Sequence, residues 1–144
     1  MKYIKFFILF GLLASFSANA ILEVNIIKSK EDSFPIVIAP FKFIGDSKGS
    51  VDIAKIIRDN LNRSGQFNAL STNELIDNQI DFNFWQEHKK DAVVFGKIEQ
   101  VSSKVFNIYI YIYDVLTQKA LYQKKIAVHN SGFRRIAHYL SDKI

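Results

Sequence analysis

The feature that most constrains the fold is a strictly alternating segment at residues 106–113, FNIYIYIY. Successive side chains of a β-strand point to opposite faces of the sheet, so a period of two predicts a strand here. One face of this strand carries Phe106, Ile108, Ile110 and Ile112. The other face, which we call the tyrosine face, carries Asn107, Tyr109, Tyr111 and Tyr113. We expect the isoleucine side to lie in the core, because burial of large apolar side chains drives folding.

A second strand is expected to return antiparallel to the first. Residues 114–119 have the composition of a turn and residues 120–128 resume a strand pattern, which together predict a hairpin. Opposed side chains of such a pair share a face, so we expect Tyr122 to lie near the tyrosine row. Two interpretations of the tyrosine face stay open. In the first, helices cover this face, since aromatic residues are common in strands anyway. In the second, the face docks a second domain or a partner, since tyrosine combines an apolar ring with a polar tip.

The segments before the hairpin predict a β-α-β unit. Residues 35–41, PIVIAPF, are nearly continuously apolar, as expected of a strand covered on both faces. Ser50 is the expected N-cap of a helix that starts at Val51 and ends at Gly65. The apolar residues of that helix lie four apart, at Ile53, Ile57 and Leu61. Further strands are expected at residues 67–70 and 92–100.

A last helix is expected to start near Ser131. Its apolar side chains fall at helical spacing, at Phe133, Ile136, Ala137, Leu140 and Ile144. The order of elements is therefore β-α-β, then a three-stranded antiparallel meander, then a carboxy-terminal helix. The sequence predicts a single α/β domain over residues 21–144, with helices packed on a mixed β-sheet.

The first twenty residues have the pattern of a secretory signal peptide. Lys2 and Lys5 give a positive start, residues 6–16 (FFILFGLLASF) are apolar, and residues 18–20 (ANA) are the small residues that a signal peptidase requires. A membrane-spanning helix needs roughly 20 apolar residues, about twice the length of this core. We therefore expect cleavage after Ala20 and export of the mature chain, residues 21–144.

Composition argues against several classes of function. The full chain has a net charge of +5, two lysines of which leave with the signal peptide, and its acids and bases are interleaved. Neither a nucleic-acid surface nor a polybasic membrane patch is therefore indicated. The chain contains no cysteine, which excludes disulfides, thiol nucleophiles and thiolate metal sites.

Candidate catalytic and metal-binding residues are few. The histidines are His88, His129 and His138. Of these, His138 has Asp142 four residues on, a spacing that more often gives a surface helix pair than a metal site. Ser131 lies near His129 but lacks the G-x-S-x-G sequence of a nucleophile elbow. We predict a non-enzymatic protein with no cofactor, metal or small-molecule substrate; the enzyme alternative is a small hydrolase that uses His129 or His138.

Several segments resemble, in the same order, the amino-terminal domain family of TolB, the periplasmic protein of the Tol-Pal system. They are SGQFNAL at residues 64–70, DAVVFGKI at 91–98 and RRIAHYLSDKI at 134–144. Asp114 lies where that family ends its next strand, and EVNI at residues 23–26 followed by Pro35 and Ile36 also matches. The resemblance extends over essentially the whole mature chain. It implies a periplasmic α/β domain with helices packed on a mixed sheet.

The resemblance also implies partners. In that family the mature amino-terminal strand engages the carboxy-terminal domain of TolA, the inner-membrane partner, while a carboxy-terminal β-propeller binds the lipoprotein Pal. It therefore implies a role in outer-membrane integrity and in constriction at cell division. No propeller follows the last helix, which stops at Ile144, so Pal binding is not expected. The partner-binding residues that it implies are Leu22, Glu23, Val24, Asn25, Ile26 and Ile27.

The segment from Leu22 to Ile27 is expected to act by β-strand addition. An extended peptide pairs its backbone with an exposed sheet edge, while alternate side chains such as Leu22, Val24 and Ile26 fill pockets. The competing interpretation is that this segment pairs permanently with its own sheet as an edge strand. The competing function is that of a stand-alone periplasmic regulator, which would dock on an envelope enzyme through the tyrosine face.

Overall fold

Six β-strands and three α-helices are formed by residues 33–46, 51–77 and 79–144, the parts of the chain that this computed structural model describes. In chain order they are β1 Phe34–Ile38, β2 Lys42–Ile44, α1 Ile53–Ser64, β3 Phe67–Ser71, α2 Phe82–Glu87, β4 Ala92–Gln100, β5 Val105–Asp114, β6 Ala120–His129 and α3 Phe133–Ser141. A short 3-10 helix, Asn130–Gly132, joins β6 to α3. Of the helices in these ranges, none is long and apolar enough to cross a lipid bilayer.

The strands form one mixed sheet in the order β3-β1-β4-β5-β6. β1 runs parallel to both β3 and β4, and β2 continues along the same edge of β4. Parallel neighbours require a crossover connection, and α1 provides it between β1 and β3. β4, β5 and β6 form an antiparallel meander. The predicted α/β fold, a mixed sheet with packed helices, is confirmed.

One face of the sheet is covered by α1 and α3. Both helices are amphipathic, and their buried apolar residues are Ile53, Ala54, Ile57 and Leu61 in α1 and Phe133, Ala137 and Leu140 in α3. They join the isoleucine side of β5 in one core cluster, where Ile108 and Ile110 are 0% and 1% exposed. The prediction that this side of β5 lies in the core is confirmed.

The start of α1 differs from the predicted one. The helix begins at Ile53, and its N-cap is Asp52, whose carboxylate accepts a hydrogen bond of 3.0 Å from the Lys55 backbone N–H. An aspartate satisfies a free N–H of the first turn and also places negative charge at the positive end of the helix. The predicted Ser50 cap and Val51 start are therefore wrong by two residues. Gly65, with φ of 71°, ends the helix as predicted.

Among the residues that the structure describes, α2 and the segment before it cover one end of the opposite face of the sheet. The side chain of Asp81 caps α2 by accepting a 3.0 Å hydrogen bond from the Phe84 backbone N–H. Trp85 then turns inward and is 6% exposed. It belongs to a second buried cluster formed by Val37, Ala39, Ile76, Trp85, Val93, Phe95 and Val115. This second core lies on the tyrosine side of the sheet.

Candidate functional site

The two predicted interaction elements differ in what the structure describes. The segment Leu22 to Ile27 lies outside the described residues. The tyrosine face lies entirely inside them, on β5 and its neighbours β4 and β6. The surface described below is therefore the tyrosine face.

The strand register arranges this face in rows. Residues directly opposite each other on adjacent strands share a face, so each row takes one residue from β4, one from β5 and one from β6. From one end to the other the rows are Val93-Tyr113-Ala120, Phe95-Tyr111-Gln123, Lys97-Tyr109-Lys125 and Glu99-Asn107-Ala127. The rows change from apolar and aromatic to charged along the strand direction.

Tyr122 does not belong to this face, and its predicted position is wrong. The register shifts between Ile112 and Tyr113, so that Tyr113 pairs with Ala120 while Ile112 pairs with Tyr122. Leu121 is the extra residue of the irregularity. A slip of one residue transfers every following side chain to the other face, and Tyr122 accordingly lies on the helix-covered side. Burial there raises the pKa of Tyr122, and the nearby Tyr139 of α3 raises it further.

The half of the tyrosine face next to α2 is closed. The Phe95 ring stacks on Tyr111 at 5.1 Å between centroids and on Tyr113 at 6.0 Å. Phe82 contacts the other side of Tyr113, with 6.0 Å between the ring centroids. For these rows, the interpretation that helices cover the face is right. We call the Val93 and Phe95 rows, with Trp85 and Phe82 above them, the closed half.

The other end of the face, which we call the open half, is formed by the Lys97 and Glu99 rows. Lys97 Nζ lies 4.5 Å and Lys125 Nζ 5.3 Å from the centre of the Tyr109 ring. Ammonium groups at such distances are attracted to the ring electrons. Lys97 Nζ also donates to Glu99 Oε1 at 2.7 Å. Tyr109 is thus flanked by two cations and beside a carboxylate.

Hydrogen bonding keeps the charges of the open half in place. The bond from Lys97, and after it one from the Tyr109 hydroxyl, hold the pKa of Glu99 below its usual value. The same bond to Glu99 raises the pKa of Lys97. Both groups therefore stay ionised at neutral pH, and the Tyr109 hydroxyl is oriented toward the carboxylate.

A groove of about 220 Å³ runs beside the edge strand β6, from the Lys97 row of the open half to the adjoining Phe95 row of the closed half. It is lined by Tyr109, Tyr111, Gln123, Lys124 and Lys125. Gln123 Nε2 donates to the Tyr113 hydroxyl at 3.1 Å, which joins the groove to the closed half. Sequence analysis found the tyrosines but missed Lys97, Gln123 and Lys125. Lys125 could not have been placed without the irregularity at Leu121, which changes the phase of β6, and Lys97 needed the register of β4 on β5.

The histidines lie in separate places. His88 Nδ1 is 2.7 Å from the Phe84 carbonyl oxygen, and His129 Nδ1 is 3.0 Å from Ser131 Oγ at the start of the 3-10 helix. His138 Nδ1 is 2.8 Å from Asn60 Nδ2, a contact that ties α3 to α1. Within the described ranges, no cluster of three or more His, Asp or Glu side chains could hold a metal ion. These contacts serve caps and helix packing.

Comparison with known proteins identifies a family. Residues 22–121 match the family model described as the TolB amino-terminal domain. A Tol-Pal system protein TolB of Ruthia magnifica is 51% identical over 127 residues, which are 88% of this chain and 30% of that protein. Its counterpart in Vesicomyosocius okutanii is 48% identical over 125 residues, 87% of this chain and 30% of that protein. The chain thus spans about a third of the length of these relatives.

Solved structures agree with the fold. The crystal structure of TolB from Acinetobacter baumannii superposes with a TM-score of 0.63 at 29% identity, covering 81% of this chain and 28% of that one. A PelC dodecamer from Paraburkholderia phytofirmans gives a TM-score of 0.55 at 11% identity, covering 78% of this chain and 86% of that one. The LpoB C-terminal domain from Escherichia coli gives 0.52 at 12% identity, covering 67% and 84%. The last two likenesses concern the fold alone.

Proposed function

Because the chain belongs to the TolB amino-terminal domain family, we propose that it is a non-enzymatic interaction domain of the Tol-Pal envelope system that binds the carboxy-terminal domain of TolA. The binding element is the mature amino-terminal strand, Leu22 to Ile27. The role that follows is in outer-membrane integrity and in constriction at cell division. The observation that carries the proposal is the family match over residues 22–121, which includes this strand.

Processing makes the strand available. Residues 1–20 are a signal peptide that takes the chain to the periplasm, and cleavage after Ala20 leaves the strand one residue from a free end. A chain end can enter a sheet edge without threading a loop. Cleavage a few residues later would remove part of the binding element.

Strand addition explains both affinity and specificity. The backbone of residues 22–27 pairs with an edge strand of the partner, which gives affinity that depends little on sequence. Leu22, Val24 and Ile26 point to one side of the added strand and enter apolar pockets, while Glu23 and Asn25 point to the other. Those side chains select the partner.

Deleting residues 21–31 tests this proposal. Titration calorimetry with the carboxy-terminal domain of TolA is expected to show binding to the mature chain and none to the shortened one. The shortened chain keeps every strand and helix that the structure describes, since β1 starts at Phe34, and a cooperative thermal transition shows that it is folded. Unchanged affinity of a folded, shortened chain would refute the proposal.

Substitutions at Asn25 provide a finer test with a matched control. Asn25→Pro removes one backbone donor from the added strand and is expected to weaken TolA binding about tenfold, whereas Asn25→Ala keeps the donor. The alanine variant should bind like the unaltered chain. Equal losses in the two variants would mean that side chains, not backbone pairing, carry the interaction.

A second candidate function rests on the open half of the tyrosine face. A stand-alone periplasmic regulator would dock on an envelope enzyme there, because Tyr109 and its lysines are not covered by any element of the described ranges. Tyr109→Ala and Tyr111→Ala should abolish such docking and leave TolA binding intact. Tyr122→Phe is the control, since Tyr122 lies on the opposite face.

A further inference from the structure

The edge strand β6, beside the open half, has one side that pairs with no strand of the described residues. β6 is the last strand in the sheet order and, among the residues that the structure describes, pairs with β5 alone. The register irregularity at Leu121 is confined to the hairpin end of β6, so the strand is regular from Tyr122 to His129. A regular edge of this length presents a row of backbone donors and acceptors to which an extended peptide can add.

The charge beside this edge is positive. Lys124 and Lys125 line the groove, and Lys97 and the carboxylate of Glu99 lie next to it on β4. Glu99 is already engaged by Lys97 and Tyr109. The surplus of positive charge lies on β6, where Lys124 and Lys125 occupy successive positions and point to opposite faces of the sheet.

From these two observations we propose that β6 and the open half bind an acidic, extended segment of a partner protein. Strand addition would lengthen each row by one residue, about 4.8 Å beyond β6. On the tyrosine face the new residues stand beside Gln123 and Lys125, which favours carboxylates. On the other face they stand beside Tyr122 and the half-buried Ile126, which favours apolar side chains, and beside Lys124 between these two, which favours one further carboxylate.

The expected ligand is therefore a strand in which acidic and apolar residues alternate. Its apolar residues extend the helix-covered core over the edge, and its carboxylates approach Lys125 and the groove. The inference does not involve the Leu22 to Ile27 strand. It rests on the second candidate function, since it uses the same face, and it adds the chemistry of the partner.

Lysines on an edge strand also discourage strand pairing, which is an alternative explanation of Lys124 and Lys125. That explanation does not account for Lys97. Lys97 belongs to β4, two strands inside the edge, where it blocks no pairing. Its contact with Tyr109 and its bond to Glu99 hold the ring and the carboxylate in place beside the groove. Side chains held in fixed positions by such contacts are typical of a recognition surface rather than of residues that only prevent edge-strand pairing.

A synthetic peptide of four Glu-Val repeats, blocked at both ends, is the probe, and a peptide of four Lys-Val repeats is its control. Each is titrated into isotopically labelled mature chain, residues 21–144, and followed by NMR. The Glu-Val peptide is expected to shift the amide signals of Tyr109, Gln123 and Lys125 and to slow hydrogen exchange along β6. Added salt should weaken its binding. The Lys-Val peptide should not bind.

Two charge reversals make the test specific. Lys125→Glu is expected to weaken binding of the Glu-Val peptide roughly tenfold, because it replaces an attraction between charges by a repulsion. Lys104→Glu makes the same change in net charge on the exposed turn between β4 and β5 and should have less than a twofold effect. Equal losses in the two variants would overturn the proposal, as would binding of both peptides or shifts that map away from β6.

Two further outcomes are informative. Binding that occurs only after residues 21–31 are removed would overturn the proposal, because the chain's own terminal segment would then be the occupant of the edge. If no peptide binds while Tyr109→Ala still abolishes docking of an envelope protein, the acidic-strand inference fails and the second candidate function stands. If no peptide binds and Tyr109→Ala leaves docking of the envelope protein unchanged, both the acidic-strand inference and the second candidate function are refuted.

Discussion

The two halves of the tyrosine face share the same three strands and the same alternating pattern, yet they have different environments. In the closed half, Phe95 and Tyr113 are sandwiched between the sheet and α2. In the open half, Tyr109 lies between Lys97 and Lys125 with no element of the described ranges above it. The alternation determines which side of the sheet a residue faces. Whether that side is buried depends on whether another part of the chain packs against it.

The halves should accordingly differ in what they contribute to stability and to binding. Burial of aromatic and aliphatic groups in the closed half is a main source of folding free energy. Ion pairs at an exposed surface add little, because water screens them and ordering two long side chains has an entropic cost. The closed half is therefore expected to hold the fold together, and the open half to bind.

The largest effect is expected in the closed half, from Trp85→Ala. Trp85 is 6% exposed and packs in the second core, so its removal should lower the free energy of unfolding by about 3–5 kcal/mol. Leu116→Ala is the control, since Leu116 is 79% exposed and should change stability by less than about 0.5 kcal/mol. Urea unfolding measures both. Similar small losses in the two variants would mean that α2 does not close this half.

An intermediate effect is expected on the helix-covered face of β4, from Gly96→Ala, between the strand positions of Phe95 and Lys97. A Cβ atom at Gly96 would collide with the backbone carbonyl of Tyr109 and with the Phe41 ring. The strands cannot separate without loss of their pairing, so overpacking should cost about 1–3 kcal/mol in urea unfolding. NMR should show the disturbance at Tyr109 more than at Tyr113. An unchanged stability would show that β4 and β5 yield easily at this point.

The smallest effect on stability, and a clear effect on charge, is expected in the open half, from Lys97→Met. Removal of the ammonium group should raise the pKa of Glu99 toward its usual value and leave thermal unfolding nearly unchanged. NMR titration of the glutamate carboxyl carbon measures this pKa. Asp114 is an internal control, because its pKa is lowered by hydrogen bonds from Thr117 rather than by a lysine. An unchanged pKa of Glu99 in the Lys97→Met variant would show that Lys97 does not lower it.

The sign of the pH dependence follows from the same bonds. Glu99 has a depressed pKa in the folded chain, so its contribution to stability is present above its unfolded pKa and is lost as the pH falls through the folded one. Lys97→Met should reduce that part of the acid dependence, because the hydrogen bond from Tyr109 remains. The part due to Asp114 should remain.

Local patterns predicted most of the fold. The period of two in β5 placed Ile108 and Ile110 in the core, and the spacing of Ile53, Ile57 and Leu61 gave the buried side of α1. These features depend on residues within a few positions of one another, where strand and helix geometry alone decides the direction of a side chain. The order of elements followed from the same patterns, except that the predicted order lacks β2 and α2.

Non-local contacts limited the prediction of the site. Tyr122 was assigned to the wrong face because the extra residue Leu121 changes the phase of β6, and nothing in the alternation indicates such an irregularity. Tyr113 is covered by Phe82 and Trp85, which lie far away in the sequence. Lys97 joins Tyr109 only through the register of β4 on β5. Each of these requires the assembled sheet.

The measurement that tests the central claim most directly is one calorimetric comparison with the carboxy-terminal domain of TolA. It is titrated into the mature chain, into the chain lacking residues 21–31, and into the Lys97→Ala/Lys125→Ala double variant. We predict that the deletion abolishes binding and that the double variant binds within about twofold of the unaltered chain, since its exposed lysines lie outside the terminal strand. Binding retained by the deletion and lost by the double variant would contradict the account and assign TolA to the open half.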